Sequence, residues 1–104
     1  MAVHLIARIE IRSGQTGRFM QAMPEVAAAA VEAGWKLDGS YMQRTGRVNT
    51  LVNVWELEDY GHLDRGWAAL AENPRFLAVA SILGEAVVNE TLTFADKLTY
   101  PTIT

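Results

Sequence analysis

The sequence has no cysteine, no cluster of basic residues and no long apolar run, and each absence excludes a class of protein. Without cysteine the chain has neither a disulfide framework nor a thiolate site. Its nine lysines and arginines are scattered and its net charge is −3, which disfavours nucleic acid and anionic membranes as partners. No run approaches the roughly 18 apolar residues of a membrane span. His4, Arg8 and Glu10 interrupt the first stretch, unlike a signal peptide, so we expect a cytoplasmic protein.

Local motifs for metal and phosphate sites are also missing. No pair of histidines or carboxylates has metal-ligand spacing, and no glycine-rich loop follows a predicted strand. His62, near the start of a predicted helix, is either a haem or metal ligand or a solvated residue at the helix N-terminus, and the second interpretation is favoured. We therefore predict neither a bound metal nor a cofactor.

What is present indicates one folded domain over residues 1–104. Half of the residues are hydrophobic and 20% are charged, a composition that argues against disorder. A chain of this size buries roughly 65% of its unfolded surface, which is enough for one modest core.

Hydrophobic periodicity predicts the order strand, helix, strand, strand, helix, strand, which is the ferredoxin-like βαββαβ pattern of an α+β fold with an antiparallel sheet. Both helical regions then cover one face of the sheet, and we expect strands one and three to lie side by side in parallel at its centre. The predicted strands are 3–11, 35–45, 48–57 and 88–96, and the predicted helices are 15–33, capped by Ser13 and kinked at Pro24, and 59–72, continued from Asn73 to about Gly84.

The alternation of residue types predicts which side chains remain on the uncovered face. On strand one the uniformly apolar odd positions face the helices, which leaves His4, Ile6, Arg8 and Glu10 uncovered. On strand three we place Val52 and Val54 inward. That choice puts Leu51, Asn53 and Trp55 on the uncovered face. On strand four Thr91 lies on that face, whereas Glu90 falls on the helix side, where a charge fits badly.

An uncovered sheet with several large apolar side chains is unusual in a monomer. Packing of two copies, sheet against sheet, removes the exposed patch and wraps the two sheets into a barrel. The lumen of that barrel then has apolar walls with a few polar groups, as small-molecule sites do. The sequence thus predicts a homodimer that binds a small hydrophobic molecule.

A resemblance to a known family rests on the entry into strand one and on three later segments: AGWKLDGSY at 33–41, with a glycine before the second strand, LVNVWELEDYGHL at 51–63 and the pattern W-x-x-L-x-x-N-P-x-F at 67–76. From about Val3 to Phe94 the chain resembles NIPSNAP-type proteins of the dimeric α/β-barrel superfamily. Trp55 matches the family pattern, whereas Asn53 stands where histidine is usual. The resemblance implies a dimer with a pocket, either between helices and sheet or inside the barrel. The superfamily includes cofactor-free oxygenases, cyclases, lactone isomerases and haem-binding enzymes.

Four residues are candidates for catalysis. His4 is a possible general base or a partly solvated residue near a strand end. Arg8 either binds a substrate oxygen or pairs with Glu10 or across a dimer interface. Asn53 donates a hydrogen bond to a substrate carbonyl or satisfies a neighbouring polar group. Tyr41 is a possible acid whose direction the irregular second strand leaves open.

Four further residues are candidates for substrate binding. Trp55 offers a flat wall for an aromatic ligand, although a tryptophan that only fills the core is the favoured interpretation. The other three lie beside it on the predicted lumen face: Ile6, Leu51 and Thr91.

Three functions remain open on the sequence. The first is a cofactor-independent isomerase, cyclase or monooxygenase acting on a hydrophobic, oxygenated substrate. The second is a non-catalytic ligand-binding protein, and the third is a structural dimer whose lumen is filled by side chains. An open cavity distinguishes the first two from the third. The tail TYPTIT at 99–104 has no predicted partner within the chain and is a candidate for contact with a neighbouring subunit.

Overall fold

The computed structural model describes residues 2–99 of the 104-residue chain. The order of elements follows the predicted βαββαβ pattern, with the second helical region divided into two helices at Asn73. The elements are β1 (Val3–Ile11), α1 (Thr16–Glu32), β2 (Lys36–Met42), β3 (Thr50–Leu57), α2 (His62–Glu72), α3 (Pro74–Ala86) and β4 (Val87–Ala95).

The four strands form one antiparallel sheet in the order β2-β3-β1-β4. The predicted α+β, ferredoxin-like fold is therefore confirmed. The expectation that β1 and β3 run in parallel is wrong, because their pairing is antiparallel. The crossover through α1 joins β1 to β2, and β3 lies between these two strands and runs against both of them.

Strand β1 lies at the centre of the core, as its alternation predicts. Its five odd positions are buried, and they pack with Phe19 and Met23 of α1 and with Trp35 just before β2. Burial of such a side chain contributes about 1.5–3 kcal/mol relative to exposure. Helix α1 continues through Pro24 and is followed by Gly34 at φ +93°, the left-handed conformation that favours glycine after a helix end.

The predicted helix boundaries are partly correct. Asn73 caps α3, because its side chain accepts a hydrogen bond from the Arg75 amide at 2.9 Å. The predicted Ser13 cap of α1 is wrong, since the N-cap residue is Gln15 and makes no side-chain capping bond. Gly84 does not end α3, which continues to Ala86.

The register of β3 places its side chains opposite to the prediction. Leu5 pairs with Trp55, and Ala7 pairs with Asn53. Residues that face each other across antiparallel strands project to the same side of the sheet, so Asn53 and Trp55 lie on the helix side with the buried β1 residues. Asn53 is 1% exposed and Trp55 is 4% exposed. The prediction that they, together with Leu51, lie on the uncovered face is wrong.

Within residues 2–99, none of the helices is both long enough and apolar enough to cross a bilayer. The predicted role of the tail TYPTIT falls almost wholly on residues 100–104, which lie outside the described residues.

Candidate functional site: a cavity between the helices and the sheet

A cavity of about 410 Å³ lies between the covered face of the sheet and the three helices. Strands β1, β3 and β4 form its floor, α1 and α3 form its sides, and residues of α2 close part of its rim. We refer to it below as the covered cavity. Its size falls within the range of small-ligand sites in proteins, about 300–1,000 Å³. This space is separate from the predicted lumen between two sheets, so the hypothesis of a structural dimer with a lumen filled by side chains stays a prediction.

Aromatic side chains form much of the cavity wall. All three tryptophans of the chain, Trp35, Trp55 and Trp67, line it. The rings of Trp35 and Trp55 meet edge to face with centroids 5.5 Å apart, a favourable arrangement for aromatic pairs. Phe19 and Phe76 add two further rings. The wall therefore suits a flat, apolar molecule.

Asn53 brings a polar group into this apolar wall. Its Oδ1 atom accepts a hydrogen bond of 2.6 Å from the Ser40 hydroxyl on the neighbouring strand. Its Nδ2 group is buried and has no hydrogen-bond partner among residues 2–99. A buried donor without a partner destabilises a fold by about 1–3 kcal/mol. Ser40 holds the amide oxygen, so the amide nitrogen is the atom left to bind a ligand.

Glu90 brings a second polar group to the same cavity from the edge strand β4. It pairs with Ile9 of β1, so it projects to the covered side. The backbone is at the sheet edge and the residue as a whole is exposed, yet burial of the carboxyl raises the pKa of Glu90 above its ordinary value. Within residues 2–99 its carboxylate forms no ion pair.

Three contacts of His62 hold the start of α2 against the cavity wall. The Trp35 indole nitrogen donates a buried hydrogen bond of 3.1 Å to the His62 carbonyl. The His62 ring accepts at Nδ1 from the Glu58 amide at 3.1 Å and lies 2.9 Å through Nε2 from the Ala33 carbonyl. His62 is 5% exposed, so the predicted solvated residue is wrong: this histidine joins the end of α1 to the start of α2.

The uncovered face of the sheet is organised differently, because its charged groups have partners within the chain. His4 lies 3.4 Å from Asp38, and Lys36 lies 3.8 Å from Glu56. Glu10 pairs with Arg47 rather than with the predicted Arg8, and the Arg8 guanidinium donates to the side chain of Gln43 at 3.1 Å.

Three of these side chains have the chemistry of metal ligands. One donor atom from each of His4, Asp38 and Glu56 lies within 4.8 Å of the other two. They come from three different strands, β1, β2 and β3, which is why sequence spacing could not group them. Their charges are already partly matched, since His4 contacts Asp38 and Lys36 contacts Glu56.

The sheet separates the predicted site residues into two groups that do not meet. Leu51, Asn53 and Trp55 lie on the covered side. The remaining five lie on the uncovered side: His4, Ile6, Arg8, Tyr41 and Thr91. His4 and Arg8 therefore do not meet Asn53, and the open direction of Tyr41 is resolved toward the uncovered face, where the residue is 62% exposed.

Comparison with solved structures identifies proteins of the same fold. A NIPSNAP family protein from Agrobacterium tumefaciens has a TM-score of 0.85 at 14% identity, with 100% of both chains covered. A NIPSNAP domain protein from Burkholderia xenovorans has a TM-score of 0.79 at 21% identity, covering 96% of this chain and 97% of its own. The fold is that of the NIPSNAP-type proteins. The resemblance drawn from the sequence is thus confirmed at the level of the fold.

A third structure connects the fold to the wider superfamily. SnoaB, a cofactor-independent oxygenase from Streptomyces nogalater, has a TM-score of 0.69 at 20% identity, covering 96% of this chain and 97% of its own. The protomer therefore has the fold of the dimeric α/β-barrel superfamily. No family model and no curated protein matches the sequence.

Proposed function

We propose that this protein binds a small, largely apolar molecule in the covered cavity and that Asn53 donates a hydrogen bond to an oxygen of that molecule. The observation that carries the proposal is the buried Nδ2 group of Asn53, which has no partner among residues 2–99. An apolar cavity with one such donor binds a carbonyl compound better than the matching hydrocarbon, because the ligand oxygen supplies the missing acceptor.

Binding of acetylnaphthalene, a flat ketone, tests the proposal. Quenching of the three cavity tryptophans provides the signal. We expect Asn53→Leu to weaken ketone binding by about 5–10-fold, the equivalent of one hydrogen bond, and to leave binding of naphthalene itself unchanged. Asn89→Leu, the same chemical change on the uncovered side of β4, is the matched control and leaves both affinities unchanged. Equal ketone affinity in the native protein and Asn53→Leu would contradict the proposal.

We further propose that two copies pack through their uncovered faces. Ile6, Val52 and Val54 form adjacent positions on this face, and the exposed Tyr41 lies next to Val52. Association covers this apolar strip, which isolated monomers rarely retain. The predicted catalytic residues His4 and Arg8 and the predicted substrate-binding residue Thr91 then lie at or near the contact between copies, and we propose that they serve association instead.

Sedimentation equilibrium of the native protein and of Val54→Lys tests the dimer. We expect a dimer at micromolar concentration for the native chain, and a monomer for the variant, because a lysine ammonium is strongly unfavourable in a packed interface. Ala78→Lys, a change at an exposed position on α3, is the control and stays dimeric. A native chain that sediments as a monomer would refute this part of the proposal.

A cofactor-independent enzyme is the second candidate function, and Glu90 is the observation that favours it. A carboxyl whose pKa is raised by burial is a better proton acceptor than an ordinary glutamate once it is ionised. Its place beside an apolar cavity suits removal of a proton from an oxygenated substrate. The shared fold of SnoaB, itself a cofactor-independent oxygenase, is consistent with this chemistry.

Oxygen uptake with ring-hydroxylated acetylnaphthalene distinguishes catalysis from binding. An enzyme of the oxygenase type consumes oxygen in proportion to substrate and loses at least tenfold in rate in Glu90→Gln, as removal of a general base does. A binding protein takes up no oxygen although it binds the same compound.

A further inference from the structure

The two polar groups of the covered cavity, Asn53 and Glu90, lie on different strands and at different positions along the strand direction. Asn53 of β3 and Leu92 of β4 flank Ala7 of β1, whereas Glu90 pairs with Ile9, two residues along β1. Strands lie about 4.8 Å apart and rise about 3.3 Å per residue, so the Cα atoms of Asn53 and Glu90 are about 12 Å apart. Both side chains line the space between them.

Among residues 2–99, Glu90 differs from most other glutamates in forming no ion pair. Six glutamates form ion pairs with lysine or arginine: Glu10, Glu25, Glu32, Glu56, Glu58 and Glu85. Among residues 2–99, Glu72 and Glu90 have no such pair, and of these two only Glu90 borders the cavity. A carboxyl beside apolar walls is unfavourable unless a partner hydrogen-bonds to it.

We propose that the ligand of the covered cavity is a flat aromatic molecule with a carbonyl-type oxygen at the Asn53 end and a hydroxyl group at the opposite end, where Glu90 accepts its hydrogen bond. This inference rests on the proposed function and adds the substrate class. A molecule with a polar group at one end only leaves either the amide donor or the carboxylate without a hydrogen-bond partner on the ligand. Two fused aromatic rings with substituents on opposite rings span the distance between these groups.

The aromatic walls support a flat aromatic ligand in the space between Asn53 and Glu90. The three tryptophans and Phe19 all border the space between the floor and the helices. Ring systems gain from edge-to-face and offset contacts with such walls beyond the area that they bury. A hydroxyl group is a neutral donor and satisfies Glu90 without bringing a second desolvated charge into the cavity, which a cationic amine would do.

Acetylnaphthalene with and without a hydroxyl on the far ring tests the inference by tryptophan quenching. In the native protein we expect the hydroxyl to tighten binding by about 5-fold or more, since hydrogen bonds to a charged group are stronger than neutral ones. Glu90→Leu abolishes that gain, and Glu90→Gln keeps part of it, because an amide oxygen still accepts. Glu72→Leu is the matched control and retains the full gain.

The two proposals fail in different ways. If the plain ketone binds in an Asn53-dependent manner and the hydroxyl adds nothing, the inference about Glu90 is overturned and the proposed function stands. A hydroxyl gain that persists in Glu90→Leu also overturns it. An analogue with an aminomethyl group in place of the hydroxyl provides a further check. If it binds more tightly than the hydroxyl compound, the Glu90 end of the cavity binds a cation and the proposed hydroxyl is overturned. If neither ketone binds, both proposals fall together.

Discussion

The two faces of the sheet differ in how far their polar groups are paired with one another. On the uncovered face, in contact with water, polar groups are matched to one another: His4 with Asp38, Glu56 with Lys36 and Arg47 with Glu10. On the covered face, where an unmatched polar group is far more unfavourable, Nδ2 of Asn53 has no hydrogen-bond partner and Glu90 has no ion pair among residues 2–99. Folds retain such groups at functional sites, where stability is lost in exchange for binding. We therefore place the proposed site under the helices.

The largest expected difference in the free energy of unfolding is between alanine variants at the two histidines. His62→Ala removes a buried ring and leaves the Ala33 carbonyl and the Glu58 amide without their partner, so we expect the free energy of unfolding to fall by about 2–4 kcal/mol. His4→Ala removes a partly exposed contact with Asp38 and changes the free energy of unfolding by less than about 1 kcal/mol. Urea denaturation at neutral pH measures both. Similar losses would mean that His62 does not hold α2 in place.

Two glycines make a second matched pair. A Cβ atom at Gly66 would overlap Nε1 of the buried Trp35, whereas one at Gly39 would lie 2.7 Å from the hydroxyl of the exposed Tyr41. The tyrosine ring can move into solvent, but the tryptophan cannot. We expect Gly66→Ala to lower the free energy of unfolding by about 1–3 kcal/mol, as overpacking does, and Gly39→Ala to lower it by less than about 1 kcal/mol. Thermal unfolding of both variants tests the order.

Asn53→Leu tests whether Asn53 lowers the stability of the fold while it strengthens ligand binding. The substitution removes a buried donor without a partner and replaces it with an apolar side chain of similar size, while Ser40 on the neighbouring strand regains water. We expect the free energy of unfolding to rise by about 1 kcal/mol while ketone affinity falls. A variant that is less stable than the native protein would show that Asn53 serves the fold and not a ligand.

The smallest effect concerns two glutamates whose pKa values shift in opposite directions. Burial raises the pKa of Glu90, so the folded protein holds that proton more tightly than the unfolded chain, and the resulting stability is lost as pH rises through the folded pKa. Hydrogen bonds from Asn73, and then from Arg75, lower the pKa of Glu32. Its contribution is present above the unfolded pKa and is lost as pH falls.

Unfolding measured from pH 3 to 8 separates these cases. Relative to the native chain, Glu90→Gln is more stable at pH values above the range in which Glu90 titrates and equally stable below it. Glu32→Gln is less stable than the native chain above the range in which Glu32 titrates. The same sign for both variants would show that Glu90 is a solvated residue and not part of the cavity.

The sequence predicted the fold because β1 and the helices have one clear periodicity each. The prediction failed at β3 because both the odd and the even positions of that strand are rich in apolar residues. The deciding signal lay at the strand ends: the even positions include Thr50 and Glu56, whereas the odd positions begin and end with the leucines 51 and 57. Extending the pattern to those ends would have placed Asn53 and Trp55 under the helices.

Other features of the structure depend on contacts between distant segments, which periodicity does not contain. The cluster of His4, Asp38 and Glu56 forms across three strands, and the His62 contacts connect two helix ends. Glu90 did leave a signal in the sequence, since a charge at an inward position of β4 is a misfit. Misfits of this kind mark functional positions when the rest of the pattern agrees.

A crystal structure of the protein with acetylnaphthalene tests the central claim most directly. Our account predicts that the ketone lies in the covered cavity against the tryptophans, with its oxygen within hydrogen-bond distance of Nδ2 of Asn53. A ketone bound on the uncovered face, or an Asn53 amide that turns to a protein partner while the cavity stays closed to the ligand, would contradict it.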